Sequence, residues 1–560
     1  MKVQDLVILD SKKTSMLRRK IKLRAALLLN NLQISRWQLA ALEMAQESID
    51  VVLVLNCKNT SNKRNYIKYF CYYALNIFTL KNSLTKWAPI NLEQTKVFNF
   101  ESIYKSVWQS FPKEVYDALD GERVDLVIKF GMGLLRLDEH QKMPPILSFH
   151  HGDPSKYRGR PAGFYEILNR EKSTGIIVQS LSNKLDAGDI YAYAESKVVN
   201  YSYKKTALNF YSNSVPLLNK AIVNLSNQTP IQRSVNGKNY RLPSNYKVIS
   251  FLLLLCLNMI KKVSYGLFFE KKWNIATSPN NLSLNKSEEL LSQFFKKVPI
   301  QEKYNFYADP FYSEDGKKVR LEALDNRTGL GDIIELETKN HLNQRVLLSG
   351  EHFSYPCSFM YDDEEYLLPE VASHSAQYFI ATNKIDEKYY LKGLENKRIV
   401  DATLHLKDGK AYLFFGESNT AHTVLNLWIS DSPFGEFKPH PMNPVVVSPS
   451  SARMGGKIIN HKGKTLRFGQ NNSGEYGESI SVMQITALSE KDYKEAEIGK
   501  ITIEEFRGPH SIGFNSDMSE ILIDYYTNKF SLLAGVRRIK ARLQKKAARL
   551  QKRRAKFQKK

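Results

Sequence analysis

Five turn signals recur through the second half of the chain and restrict its fold more than any other feature. They are EDGKK beginning at Glu314, DDEE at Asp362, KDGK at Lys407, HKGK at His461 and a weaker NSDM at Asn515, each running into a short β-type stretch. Equivalent positions Gly316, Glu364, Gly409, Gly463 and Met518 are separated by 48, 45, 54 and 55 residues. A unit of roughly fifty residues with hairpin chemistry holds about four short strands, and such units bury their apolar faces only by stacking on one another. The spacing predicts a β-propeller of about five blades over residues 300–530.

The first half reads differently. LRAALLLN, from Leu23 to Asn30, is an apolar run of strand length, as a strand buried on both faces requires. Ser35 with Gln38 has the spacing of a capping box, and Trp37, Ala41 and Met44 mark an apolar helix stripe. DVVLVL at Asp50 is a second strand. Helical patterns over 65–80 and 104–119, with strands at 125–130, 146–150 and 175–181, predict a Rossmann-like α/β domain with a doubly wound sheet over residues 22–230. NNLQIS follows the first strand where a Gly-rich phosphate loop would stand, which argues against a dinucleotide enzyme. Reactive groups are therefore expected beyond the carboxyl ends of the later strands.

A chain of 560 residues exceeds one hydrophobic core, and 42% hydrophobic with 25% charged residues is the composition of a soluble protein. Residues 231–299 are expected to be a helical linker. Their apolar run, Val248 to Ile260, is broken by Ser250 and Asn258 and is shorter than the ~20 residues of a membrane span, so a buried or interfacial helix is expected. Cys57, Cys71, Cys256 and Cys357 stand far apart, which predicts neither disulfides nor a metal site and fits a reducing cytosol. The first residues show no apolar stretch of signal-peptide length, which fits a cytoplasmic protein.

The formal charge of +24 is unevenly placed. Residues 537–560 hold thirteen Lys and Arg and no acid, leaving +11 for the rest of the chain, which argues against a nucleic-acid partner. Within the expected basic helical tail, 531–560, Ile539, Leu543, Leu550 and Phe557 recur at helical spacing. Such a helix suits an anionic membrane surface, with the protein peripheral at the inner face, or an acidic partner.

The densest chemistry lies in SFHHGDPSKYRGRPAGFYEIL, beginning at Ser148, and STGIIVQSLSNKLDAGDI, ending at Ile190. A histidine leaving a buried strand, a Pro/Gly loop with Arg158, and a strand running into Asp-Ala-Gly-Asp can bring imidazole and carboxylate together as an acid/base pair. These residues resemble the formyltransferase family, which includes the methionyl-tRNA, glycinamide ribonucleotide and sugar N-formyltransferases. The family pattern is Asn-x-His, a loop ending in Arg-Gly or Lys-Gly, Thr-Gly before a strand, then Asp-Ala-Gly. His150, Arg158-Gly159, Thr174-Gly175 and Asp186-Ala187-Gly188 match it, whereas Ser148 stands where the family has asparagine.

The resemblance implies formyl transfer from N10-formyltetrahydrofolate to an amine, with His150 stabilising the oxyanion and Asp186 orienting and charging the imidazole. Ser148, the third expected catalytic residue, is shorter than the family's amide donor, so it reaches the oxyanion through a water, or His151 or Asp153 is a candidate substitute. His151, Asp153, Tyr157, Arg158 and Gly159 form the expected substrate loop. Met132, Leu134 and Leu135, in FGMGLLRL, occupy the position of the family's pterin pocket and are candidate folate contacts.

The later repeats, with YADPF at Tyr307, HFSYPCSFMYDDEEYLLPE at His352 and IVDATLHLKDGKAYLFF at Ile399, resemble the propeller at the N-terminus of plant glucosamine inositolphosphorylceramide transferases and, more distantly, arabinanase-like glycoside hydrolases. Asp309, Glu370 and Asp401 are the expected funnel acids, able to bind a saccharide or cleave it. Together the halves point to N-formylation of an amino sugar during surface polysaccharide or glycolipid assembly. Two rivals stay open: a catalytically weak glycan-binding protein, which Ser148 favours, and an enzyme like methionyl-tRNA formyltransferase. The second would use the positive charge but lacks the small β-barrel expected of that subfamily.

Overall fold

The computed structural model describes residues 22–59, 65–93, 95–184, 187–339, 343–372, 374, 376–540 and 543. Its first domain is built on a seven-stranded sheet. The strands are β1 (Leu23–Leu29), β2 (Ile49–Cys57), β3 (Lys96–Phe100), β4 (Leu126–Lys129), β5 (Ile146–His151), β6 (Ser173–Ser180) and β7 (Ile190–Lys197). They lie in the order β7-β6-β5-β4-β1-β2-β3, with β3 to β5 parallel and β6 and β7 antiparallel. The helices of this domain are α1 (Arg36–Ala45), α2 (Phe70–Thr79), α3 (Lys113–Gly121), α4 (Phe164–Leu168), α5 (Tyr203–Ser214) and α6 (Leu217–Ser226).

The apolar run of β1 is divided between two cores. Ala25, Leu27 and Leu29 pack with α1 (Arg36–Ala45), and Ala26 and Leu28 pack with Val115, Tyr116 and Leu119 of α3 (Lys113–Gly121). Each fully buried leucine of this kind contributes about 1.5–3 kcal/mol. The capping box forms, with Ser35 N donating to Gln38 Oε1 at 2.9 Å. Trp37 and Ala41 are buried as the stripe requires; Met44 is exposed, its place on the inner face being taken by Ala45.

The helix expected over 104–119 is shorter. Ile103–Lys105 and Trp108–Ser110 pair as a small hairpin, and α3 starts only after Pro112. Proline lacks the N–H and favours a first-turn position, so it sets that boundary.

The segment 231–299 departs from a helical linker. Its one long helix, α7 (Asn245–Phe268), has 24 residues and so is long enough to cross a bilayer, beyond what the apolar run alone predicts. From Phe269 onward the segment is β structure. Strand β8 (Phe269–Pro279) pairs along its whole length with β13 (Glu520–Phe530), and Glu288–Leu290 pairs with Tyr493–Ile503.

From here to β13 the chain forms five sheets, antiparallel except where Glu288–Leu290 runs parallel to Tyr493–Ile503. Four begin on β9 (Tyr304–Tyr312), β10 (Phe353–Tyr361), β11 (Ile399–Lys407) and β12 (Arg453–Met454); the fifth joins β8 and β13 to Ile512–Phe514. The five turn signals are hairpins leading into second strands; the fourth joins Ile459–His461, which follows β12, to Lys464–Asn471. Their left-handed residues are Gly316, Asp362 and Asp363, Asp408 and Gly409, Lys462 and Gly463, and Met518. First strands touch in succession, β9 to β10, β10 to β11 and β11 to β12; Ile512 N donates to Gly455 O at 2.9 Å, and Ile512–Phe514 packs back on β9. The sheets therefore surround a common centre.

The two regions are joined by polar contacts. Lys197 Nζ donates to Asn472 O at 2.6 Å, Ser448 Oγ to Glu195 Oε2 at 3.0 Å, and Lys172 pairs with Glu478 at 3.0 Å.

Candidate functional site

Strand β5 carries the motif out of the α/β sheet. Side chains alternate along a strand, so Ser148 and His150 share one face and Phe149 and His151 the other. Ser148 is half-buried, in register with Lys129 of β4 and Gln179 of β6. His150 is buried, with Nε2 3.1 Å from Tyr157 O. A carbonyl can only accept, so Nε2 carries a proton and the imidazole is fixed in orientation. Gly152 makes room for this bond, since a Cβ there would stand 2.9 Å from both His150 Nε2 and Tyr157 O. Asp186 lies outside the described residues. Gly188, two positions on, donates from N to Gln179 Oε1 at 3.3 Å, so Gly188 itself touches the register partner of Ser148. Only glycine fits there, because a Cβ would fall 1.7 Å from Ser180 O.

His151 is not part of this face. It lies among Trp37, Phe149, Phe210 and Tyr211, with Nε2 2.9 Å from Ser214 Oγ. Burial, with neighbouring His150, pushes its pKa down to about 3, so it is a neutral core residue and cannot stand in for the family's asparagine. The strand alternation carries this correction.

Asp153 is committed as well. Burial opposes its ionisation, but Arg233, with Nη2 2.8 Å away, and Ser155 outweigh it and hold the carboxyl below its usual range. Tyr157 stacks on Tyr240 and donates to Glu171 Oε1 at 3.1 Å. Arg158 Nε donates to Gly237 O at 2.7 Å. Gly159, at φ +81°, pairs with Tyr240. The expected substrate loop is thus a small parallel ribbon, Tyr157–Gly159 against Lys238–Tyr240, that props up the His150 loop.

Thr174 of the Thr-Gly pair donates to buried Glu166 at 2.8 Å. Burial raises the Glu166 pKa to about 7 from 4.5. The folded chain holds this proton more tightly than the unfolded chain, so stability should fall as pH rises from about 4.5 to 7. Glu166→Gln is therefore expected to gain thermal stability over the parent at pH 8 and not at pH 4.5. Equal differences at the two pH values, read by melting curves, would contradict this.

The loop Phe130–Leu135 sits at the carboxyl ends of β1 and β4. Met132 N is bonded by Asn30 Oδ1, Met132 O accepts from Lys129 Nζ at 3.3 Å, and Gly133 N donates to Gln109 Oε1 at 2.7 Å. Leu135 is buried core, whereas Met132 and Leu134 are half-buried.

The second cluster lies at the centre of the five sheets, where Asp309, Glu370 and Asp401 come together with groups that have no motif in the sequence. Asp401 is clamped by Arg453 Nε, by Arg453 Nη2 at 3.3 Å and by Gln470 Nε2 at 3.0 Å. Its backbone N donates to Glu370 Oε2 at 3.3 Å. His510 lies between two acids, Nε2 3.1 Å from Asp309 Oδ1 and Nδ1 2.6 Å from Asp524 Oδ2. The ligand atoms of these three residues lie within 4.8 Å of one another, a packing that suits a metal ion or an imidazolium flanked by two carboxylates.

Burial opposes that charge, but Asp524 and Asp309 overcome it and hold the His510 pKa at about 10. Burial, with Asp401 adding repulsion, lifts Glu370 to about 8 and also raises Asp309 and Glu322. Trp273 packs on His510 with ring centroids 4.2 Å apart, and Tyr476 and His422 continue the aromatic wall. Tyr476 belongs to the 472–478 segment held by Lys197 and Lys172, so this wall reaches the contact with the α/β domain.

One signal could have located part of the cluster. Asp309, Tyr355 and Asp401 recur at intervals of 46 residues, and all three have left-handed backbones at φ +48°, +47° and +50°. Such conformations in non-glycine residues concentrate at functional sites.

Residues 298–513 match the family described as glucosamine inositolphosphorylceramide transferase 1, N-terminal. Glucosamine inositolphosphorylceramide transferase 1 of Oryza sativa subsp. japonica is 32% identical over 219 residues, covering 36% of this chain and 29% of that protein. The Arabidopsis thaliana protein of that name is 32% identical over 214 residues, covering 35% of this chain and 27% of its own length. The chain spans less than a third of these curated relatives. Among solved structures, glycinamide ribonucleotide transformylase 1 from Symbiobacterium toebii is similar to 40% of this chain over 94% of its own, with 15% identity and a TM-score of 0.27. A thermostable family-43 glycoside hydrolase is similar to 35% of this chain over 76% of its own, with 12% identity and a TM-score of 0.28.

Proposed function

We propose that the chain transfers a formyl group from N10-formyltetrahydrofolate to the amine of an amino sugar in surface polysaccharide or glycolipid assembly, and that its five sheets are the blades of a propeller that binds the glycan. The observation that carries this reading is the placement of Ser148 and His150 on one face of β5, within a frame whose glycines and loops match the formyltransferase motif. The formyl donor would supply an electrophilic carbon, with Met132 and Leu134 holding its ring. His150, oriented by the Tyr157 carbonyl, lies where it can offset negative charge growing on an acyl oxygen. Ser148 adds a hydroxyl to the same face. By the family resemblance, Asp186 charges the imidazole and passes the proton on.

The test is formyl transfer to a panel of amino-sugar acceptors, nucleotide-linked, lipid-linked and polymeric, read by mass spectrometry. A formylated product on none of them counts against the reading. Ser148→Asn reinstates the family's amide donor and is expected to keep or raise turnover. A tenfold drop in a correctly folded variant would mean that the hydroxyl has a role the amide cannot fill.

The central acid cluster supports a second role, binding in preference to cleavage. Asp401 is neutralised by Arg453 and Asp309 by His510, an arrangement suited to accepting and donating hydrogen bonds to sugar hydroxyls.

A further inference from the structure

We propose that the outward face of α7, together with the adjoining segment 531–540, is a docking surface for an anionic phospholipid bilayer, on which the protein lies without crossing. The sequence points to a basic tail as the membrane contact; the structure adds an apolar face and an orientation. Along α7, Val248, Phe251, Leu255, Asn258 and Lys262 form one stripe directed at the α/β domain. Phe251 stacks on Phe164 with centroids 4.2 Å apart, Asn258 Nδ2 donates to Asn200 O at 2.9 Å, and the Lys262 ammonium lies 3.6 Å from the centre of the Tyr201 ring. A spanning helix would drag these partners into hydrocarbon, so the helix is held flat against its domain.

The opposite stripe is apolar and largely exposed, with only its last turn, at Leu267, met by Gly535 among the described residues. Leu253 is 62% exposed, Leu257 57% and Ile260 64%, and Leu252, Val263 and Leu267 continue the face. Exposed apolar surface of this extent marks an interaction site.

The carboxyl-terminal segment extends it. Arg538 Nη1 donates to Tyr265 O at 3.2 Å and Gly266 O at 2.5 Å, and Gly535 lies against Leu267. This packing leaves Leu532, Leu533, Val536 and Ile539 exposed beside the last turn of α7. Charge settles the occupant. Lys261 of α7 and Arg537, Arg538 and Lys540 accompany the apolar residues; neither Asn245–Phe268 nor 531–540 contains an acid, and the neighbouring Glu270 pairs with Arg537 at 2.8 Å. An apolar face with basic flanks fits the headgroup and acyl boundary of an anionic bilayer. A second copy would set like charge against like. Most of the thirteen-cation tail lies outside the described residues, at 541, 542 and 544–560, and the proposal does not rest on it or on the chemistry of His150.

The test uses the full chain with vesicles of phosphatidylcholine alone or with phosphatidylserine. Parent protein is expected to sediment with the phosphatidylserine vesicles and less so as salt rises. The combined variant Leu253→Glu, Leu257→Glu, Ile260→Glu changes only exposed positions. It is expected to lose vesicle affinity at least about tenfold, with an unchanged melting temperature. The proposal fails if the parent stays in the supernatant, or if the triple variant binds as the parent does while removal of residues 541–560 abolishes binding. It also fails if size-exclusion with light scattering shows a parent dimer that the triple variant converts to monomer, since the face would then join two copies.

Discussion

Replacing His150 by alanine is expected to lower formyl-transfer turnover by about 10² or more. Within β5 itself, where Ser148 and His150 share a face, the imidazole is the cation-capable side chain, and its orientation is fixed by Tyr157 O. Asp186→Asn should act through the same group, so the double variant should be little worse than either single one. His151→Ala is the internal control for a merely structural histidine. It removes a ring from the Trp37, Phe210 and Tyr211 cluster and should cost stability, with turnover per folded molecule kept. Turnover is followed on proteins with matched circular dichroism. Parent-like turnover in His150→Ala would sink the catalytic assignment and put the glycan-binding reading ahead.

Asp524→Ala is expected to destabilise the β region by about 3–5 kcal/mol, the scale for breaking a buried ion pair. Asp524 is fully buried and accepts from the backbone N of His510 at 2.9 Å, Ser511 at 3.0 Å and Asp309 at 3.1 Å. Alanine leaves those donors without a partner and the imidazolium with one acid in place of two. The pH dependence follows from the shifts. His510 binds its proton more tightly when folded, so its contribution is complete below about 6.5 and is lost as pH rises through about 10. Burial opposes charge on Asp524, but His510 and Ser511 hold its pKa low, so its contribution is present above the ordinary carboxylate range and lost in acid. The gap between parent and variant in urea unfolding should thus be widest between about pH 4 and pH 6.5 and narrow toward pH 10. A gap independent of pH would show that packing, not charge, ties Asp524 into the centre.

The sequence was most readable where local chemistry decides the outcome. The hairpin turns are legible because Asp-Gly and Lys-Gly pairs fit left-handed backbone, and β1 because it is apolar on both faces. The closing pair β8 and β13 was not, since Phe269 and Phe530 meet across the whole β region and neither strand announces its partner. At the site, Asp309 and Asp401 stand out in short strings, whereas Glu322 comes from the strand paired with Asp309's own, and Arg453, His510 and Asp524 come from distant parts of the β region, all assembled only by topology. His151 misled because adjacency in sequence was read as adjacency in space, when one step along a strand reverses the direction of the side chain.

The pairing of β8 with β13 has a temporal consequence. During synthesis α7 emerges with β8, but the strand that completes their sheet is made some 240 residues later. Until then β8 has an unpaired edge, and 531–540 cannot come to rest beside Tyr265 and Leu267. The joint surface of α7 and 531–540 therefore exists only on chains whose β region has been finished. Nascent or truncated chains lack it, and a bilayer that recognises it would collect the completed protein in preference to fragments.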